Sequence, residues 1–133
     1  MSEDAGLGRA ALVGFVPTLD KAAARAFYED VLGLRLVVDT PFALVFDANG
    51  TTVRVTPVPA LTPHPFTTLG WEVTDMTSSV RGLASRGVVF ERFENMGIEQ
   101  DADAIWHTPD GATVAWFKDP DGNLLSVSAH PAS

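Results

Sequence analysis

The chain has 133 residues, 46% hydrophobic and 20% charged, the length and make-up of one domain or of two small halves sharing a core. Nine Lys and Arg against 17 Asp and Glu leave a formal charge of −8, a field that repels nucleic acid and anionic membrane surfaces. No cysteine is present, which excludes disulfides, thiolate metal sites and a cysteine nucleophile.

The opening MSEDAGLGRAALVGF places acids before its first basic residue and has no long apolar run, the opposite of a signal peptide. No segment approaches the ~20 apolar residues of a membrane span. The expected setting is the cytoplasm.

Taken in order, the elements are written twice. Alternating apolar residues from Ala11 predict a strand, and Asp20 then caps a helix whose apolar stripe is Ala23, Ala24, Phe27, Tyr28, Val31 and Leu32. Gly33 suits the left-handed turn that ends it. Three strands follow, the last two joined by the turn DANG at 47–50. The proline-rich 58–65 reads as a linker. A second strand from about 66, the cap Asp75, a stripe of Met76, Val80 and Leu83, and Gly87 repeat the pattern. Three further strands are expected, interrupted by ENMGIEQDADAIWHTPDG and closed by the turn DPDG at 119–122. Each half therefore reads β-α-β-β-β, about 11–57 and about 66–129, within a single domain over 1–133. Three strands in succession after one helix argue against a ferredoxin-like arrangement.

The segments VPTLDKAAARAFYEDVLGLRLV and FKDPDGNLLSV, in this order, resemble the signature segments of the vicinal oxygen chelate superfamily of glyoxalases, bleomycin-resistance proteins and extradiol dioxygenases. The resemblance spans Ala11 to Ala129. It implies an α+β fold of two tandem β-α-β-β-β modules whose curved mixed sheets form a cup, and a homodimer.

Alternation assigns the faces. Thr52, Arg54 and Thr56 oppose Val53 and Val55. Leu124, Ser126 and Ser128 oppose Leu125 and Val127. Thr68, Gly70 and Glu72 oppose Leu69, Trp71 and Val73. Matching the repeat puts Val13 and Phe15 in the cup. Metal-dependent members of the superfamily hold a divalent ion with His or Glu on the first and last strands of each module. By spacing, those positions are Val13, Arg54, Thr68 and Ser126 here, none a usual metal ligand. The reading assigns no metal and no cofactor.

Other candidates are weaker. His107 and Glu72 are the available acid–base groups. Glu99, Asp101 and Asp103 beside His107 offer a displaced metal site, against a solvated acidic loop. His64 and His130 are expected in solvent. Arg54 and Glu72 are expected as charges inside the cup, joined either to each other or to a ligand. Phe15, Phe42, Phe46, Trp106 and Trp116 are either core or an apolar, stacking pocket. DPDG is expected to be a turn and nothing more.

The leading expectation is a metal-free protein binding a small apolar or aromatic molecule, with Val13, Phe15, Arg54, Thr68, Glu72, Ser126, Trp106 and Trp116 around it. The alternative is a lyase, isomerase or dioxygenase with an unusual or absent metal. A third is an interaction domain whose cup is filled by its own side chains.

Overall fold

The computed structural model describes residues 6–131, so 1–5 and 132–133 of the expected domain lie outside the described residues. The first module runs β1 (Val13–Thr18), α1 (Lys21–Arg25, continued by a π-helical stretch, Ala26–Val31), β2 (Arg35–Asp39), β3 (Leu44–Ala48) and β4 (Thr51–Pro57). The second runs β5 (Thr67–Glu72), α2 (Met76–Ser85), β6 (Trp106–His107), β7 (Thr113–Lys118) and β8 (Leu124–Ala129). The sheet orders are β1-β4-β3-β2 and β5-β8-β7-β6. In each, the first and last strands run parallel and the other neighbours antiparallel.

The helices begin at caps. The Asp20 carboxylate accepts from the Ala23 N–H and that of Asp75 from the Ser78 N–H, each at 3.0 Å. These bonds satisfy donors that a helix start leaves unpaired. The first helix then widens: the Leu32 N–H reaches the Phe27 carbonyl, five residues back. Tyr28 is buried completely and packs with Phe46, while Phe27 meets Phe117 of the second module. One core therefore joins both modules, with Val16, Leu44, Val55, Val80, Phe117 and Leu125 fully or almost fully buried.

The DPDG turn does more than reverse the chain. Asp119 accepts from the Tyr28 hydroxyl at 2.7 Å and from Asn123 Nδ2 at 2.9 Å. Asp121 accepts from the Thr18 hydroxyl and from the Leu19 N–H. Asn123 also donates to the Pro17 carbonyl. The turn thus bolts the second module to the end of β1. Its two carboxylates are needed because Thr18, Leu19 and Tyr28 bring polar groups to a largely buried seam.

A second departure concerns the strand expected directly after α2. Residues 88–93 form only an isolated bridge, Phe90 to Phe117. Gln100 takes the place of a neighbouring strand. Its Oε1 accepts from the Phe93 N–H, and its Nε2 donates to the Glu91 and Ala104 carbonyls. The edge strand lies instead inside the presumed insertion, at Trp106–His107. Among the described residues, no helix is long and apolar enough to cross a membrane.

Candidate functional site

Alternation along β7 sends Ala115 and Phe117 into the core and leaves Val114, Trp116 and Lys118 on the opposite face. The register sets Trp106 beside Val114, Trp116 beside Ser126 and Lys118 beside Leu124. The rings of Trp106 and Trp116 stack with centroids 6.0 Å apart and planes 22° apart. Phe93 and Trp116 meet edge to face, their centroids 5.2 Å apart. Together they form the floor of a half-open pocket of about 560 Å³.

Two loops wall it. The connection from α2 to β6 contributes Phe93, Met96 and Ile98, and the proline-rich linker contributes Pro63, His64 and Pro65, with Phe66 just before β5. His64 and Phe66 stack on one another, 9° from parallel. Gly122 lets the linker close in: its φ is +87°, and a Cβ there would meet Pro63 at 3.2 Å. The first wall is held by Gln100 and by Arg92, which donates to the Asp101 and Ala102 carbonyls. Asp101 in turn accepts from the Ile105 and Asp103 N–H groups and lies 2.9 Å from His107 Nε2. Partial burial pushes its carboxyl up, but the bonds from His107 and the two N–H groups outweigh it and lower the pKa.

Of the residues expected around a ligand, Trp106 and Trp116 line this pocket. Val13, Phe15, Arg54, Thr68, Glu72 and Ser126 do not. Val13 and Phe15 lie 39% and 62% exposed on the outward face of the first sheet, where Phe15 stands directly across from Arg54. Ser126 is buried beside Gly70, and a Cβ on Gly70 would sit 2.8 Å from its hydroxyl. Thr68 falls in the irregularity between Thr67 and Leu69. The strand partners of Arg54 and Ser126 are Phe15 and Gly70, and Val13 and Thr68 lie two residues earlier on the same strands.

Of the two alternatives for Arg54 and Glu72, the pairing with each other is not formed. Glu72 is 59% exposed and accepts from His130, a hydrogen bond that holds its carboxyl below the ordinary range. Arg54 makes no ion pair or side-chain hydrogen bond among the described residues. Phe46 belongs to the core, and Phe42 is exposed in the β2–β3 turn. His107 is exposed and faces away from the pocket that its neighbour Trp106 lines. The linker and the residues Phe93, Met96, Ile98, Lys118 and Leu124 were missed as pocket residues. The linker's prolines were the available signal, since stiff apolar residues serve a wall as well as a connection.

Among the described residues, no three His, Cys, Asp or Glu side chains gather into a group that could hold a metal ion. The donor set at the superfamily's ligand positions, whether counted as Val13 and Thr68 or as Phe15 and Gly70 with Arg54 and Ser126, does not fit one.

The sequence profile of the Glyoxalase/Bleomycin resistance protein/Dioxygenase superfamily matches residues 11–127. The chain belongs to this superfamily. Its fold is similar to that of TnmS3, an antibiotic binding protein from Streptomyces sp. CB03234, at 23% identity and TM-score 0.69 over 91% of this chain and 95% of that one. It is also similar to a glyoxalase/bleomycin resistance protein/dioxygenase from Alicyclobacillus acidocaldarius, at 17% identity and TM-score 0.68, with 93% of each chain covered. Lactoylglutathione lyase from Agrobacterium tumefaciens aligns at 20% identity and TM-score 0.62, over 91% and 93%. No curated protein matches the sequence. The same fold thus carries an antibiotic binding protein and a lyase, and the site must decide between such roles.

Proposed function

We propose that this chain is a metal-independent, cytoplasmic binding protein that holds a planar aromatic molecule against Trp106 and Trp116. The observation that carries the reading is the stacked tryptophan floor under an open, walled pocket. A flat apolar ligand gains both burial and ring contacts there. The pocket's openness weighs against a cup filled by its own side chains. Sequestration rather than turnover is favoured by the lining itself, which includes no carboxylate and, among titratable side chains, His64, stacked on Phe66, and Lys118. His107 and Glu72, the acid–base candidates, lie outside it.

The reading includes a homodimer. The first sheet leaves Val13, Phe15, Val37 and Val38 on its surface, with Phe42 at its edge turn, 39–79% exposed. Clustered apolar exposure of this kind marks a contact surface. A second copy of the chain is the proposed partner, and it would cover Phe15 and Arg54 together. TnmS3 is an antibiotic binding protein, and this fold's capacity for such a ligand agrees with the proposal.

The test is a screen of flat aromatic compounds against purified protein, read by tryptophan quenching in the wild type and by calorimetry in both proteins. Ligands should quench the wild type, and Trp106→Ala with Trp116→Ala should abolish the calorimetric binding signal while circular dichroism stays native. Undiminished affinity in that double variant would overturn the placement.

A further inference from the structure

The charge pattern of the pocket selects among aromatic ligands. The protein carries 17 acids against nine Lys and Arg, yet the pocket lining contains no Asp, Glu or Arg, and its basic side chains are Lys118 and the imidazole of His64, which is stacked on Phe66. The position of Lys118 is set by the strand. Trp116 and Lys118 are two residues apart on the same face of β7, about 6.6 Å along the sheet. Val114, which pairs with Trp106, lies on the far side of Trp116. A molecule lying along β7 therefore crosses rings first and meets the ammonium at the end nearest Gly122 and Pro63. The Lys118 side chain is half-exposed, and its ion pair is a 3.5 Å contact to Glu91, which does not line the pocket. That contact is long enough for a ligand anion to compete with it.

We infer that the ligand is an aromatic acid: a planar ring system over Trp106 and Trp116 with a carboxylate or other acidic oxygen on Lys118. This rests on the binding reading above and adds the sign of the charge. Cationic aromatics are disfavoured, because their charge would meet Lys118 with no carboxylate in the lining to offset it.

Three ligands sharing one ring separate the terms: 2-naphthoate, 2-naphthamide and 2-naphthylmethylammonium, each titrated by calorimetry. At low salt the wild type should bind the acid about tenfold tighter than the amide, with the ammonium weakest. Lys118→Met should bring the acid-to-amide ratio to about one. Glu91→Gln, which frees Lys118, should widen it about two- to threefold. Added salt should narrow the wild-type ratio, since the pair is half-exposed. A wild-type ratio near one, or a preference for the acid that survives Lys118→Met, overturns the charge assignment and leaves aromatic binding standing. If none of the three binds a natively folded protein, the pocket reading falls, and this inference with it.

Discussion

Tyr28→Phe tests the bolt between the modules. Tyr28 is fully buried and its hydroxyl donates to Asp119 Oδ2 at 2.7 Å. The substitution removes one oxygen and leaves the ring packed on Phe27 and Phe46. Asp119 keeps Asn123 Nδ2 on the same oxygen, and the Asp121 and Asn123 N–H groups on the other. The loss is then one hydrogen bond to a charged acceptor rather than a stranded carboxylate, about 2 kcal/mol. For a domain of this size that lowers the melting temperature by about 6–10 °C.

The same bond has a signature in alkali. Burial first, then the adjacent Asp119 carboxylate, pushes the Tyr28 phenol far above its ordinary 10.0. Above that pH the unfolded chain releases the tyrosine proton while the native protein keeps it. The unfolded state then binds fewer protons, so stability falls as pH rises, by about 1.4 kcal/mol per unit from this group. This contribution is complete below pH 10 and absent from the Phe variant. Urea unfolding of both proteins at neutral and alkaline pH measures it as a difference, so other groups cancel. Tyr28 is the only tyrosine, so ultraviolet absorbance of the phenolate reports it alone. A native tyrosine titrating freely near pH 10 would refute the reasoning, as would a loss below about 0.5 kcal/mol.

Other outcomes follow from the same geometry. Gly70→Ala should destabilise by about 1–2 kcal/mol, because the new methyl displaces the Ser126 hydroxyl, and Ser126→Gly should restore the loss. Elemental analysis should find no stoichiometric divalent ion, and chelators should leave melting unchanged. One ion held per chain would contradict the donor set. Phe15→Asp should convert the proposed dimer to monomer in sedimentation without lowering helix and sheet content, since Phe15 is 62% exposed.

The fold was legible where local chemistry decides it. The caps Asp20 and Asp75, the turns and the repeated stripes each act over a few residues, and each appears where the pattern placed it. What could not be read depends on distant partners. Nothing near GVVFERF signals that Gln100 will occupy its backbone groups and keep it out of a ladder. DPDG carries the composition of a simple turn, and its seam duties become visible only when Thr18 and Tyr28 arrive from the other module. In the site, composition marked Trp106 and Trp116 as either core or pocket, and only the arrival of Phe93 and the proline linker beside them decides which.

The repeat also explains why the pocket occupies one module. Val45 pairs with Arg54 as Trp116 pairs with Ser126, and Asp47 with Thr52 as Lys118 with Leu124. The first sheet thus has a valine where the second has its floor, and an acid, tied to Arg35, where the second has its cation. The walls differ more. In the first module residues 32–34 join helix to strand, whereas in the second residues 86–105 do so and supply Phe93, Met96 and Ile98. A tryptophan at position 45 would have neither this loop nor the proline linker beside it. Val45→Trp should therefore add a ring to the surface of the first sheet without adding a site. Calorimetry with 2-naphthoate should still give one ligand per chain. Two per chain would show that the floor alone suffices and that the walls contribute nothing to binding.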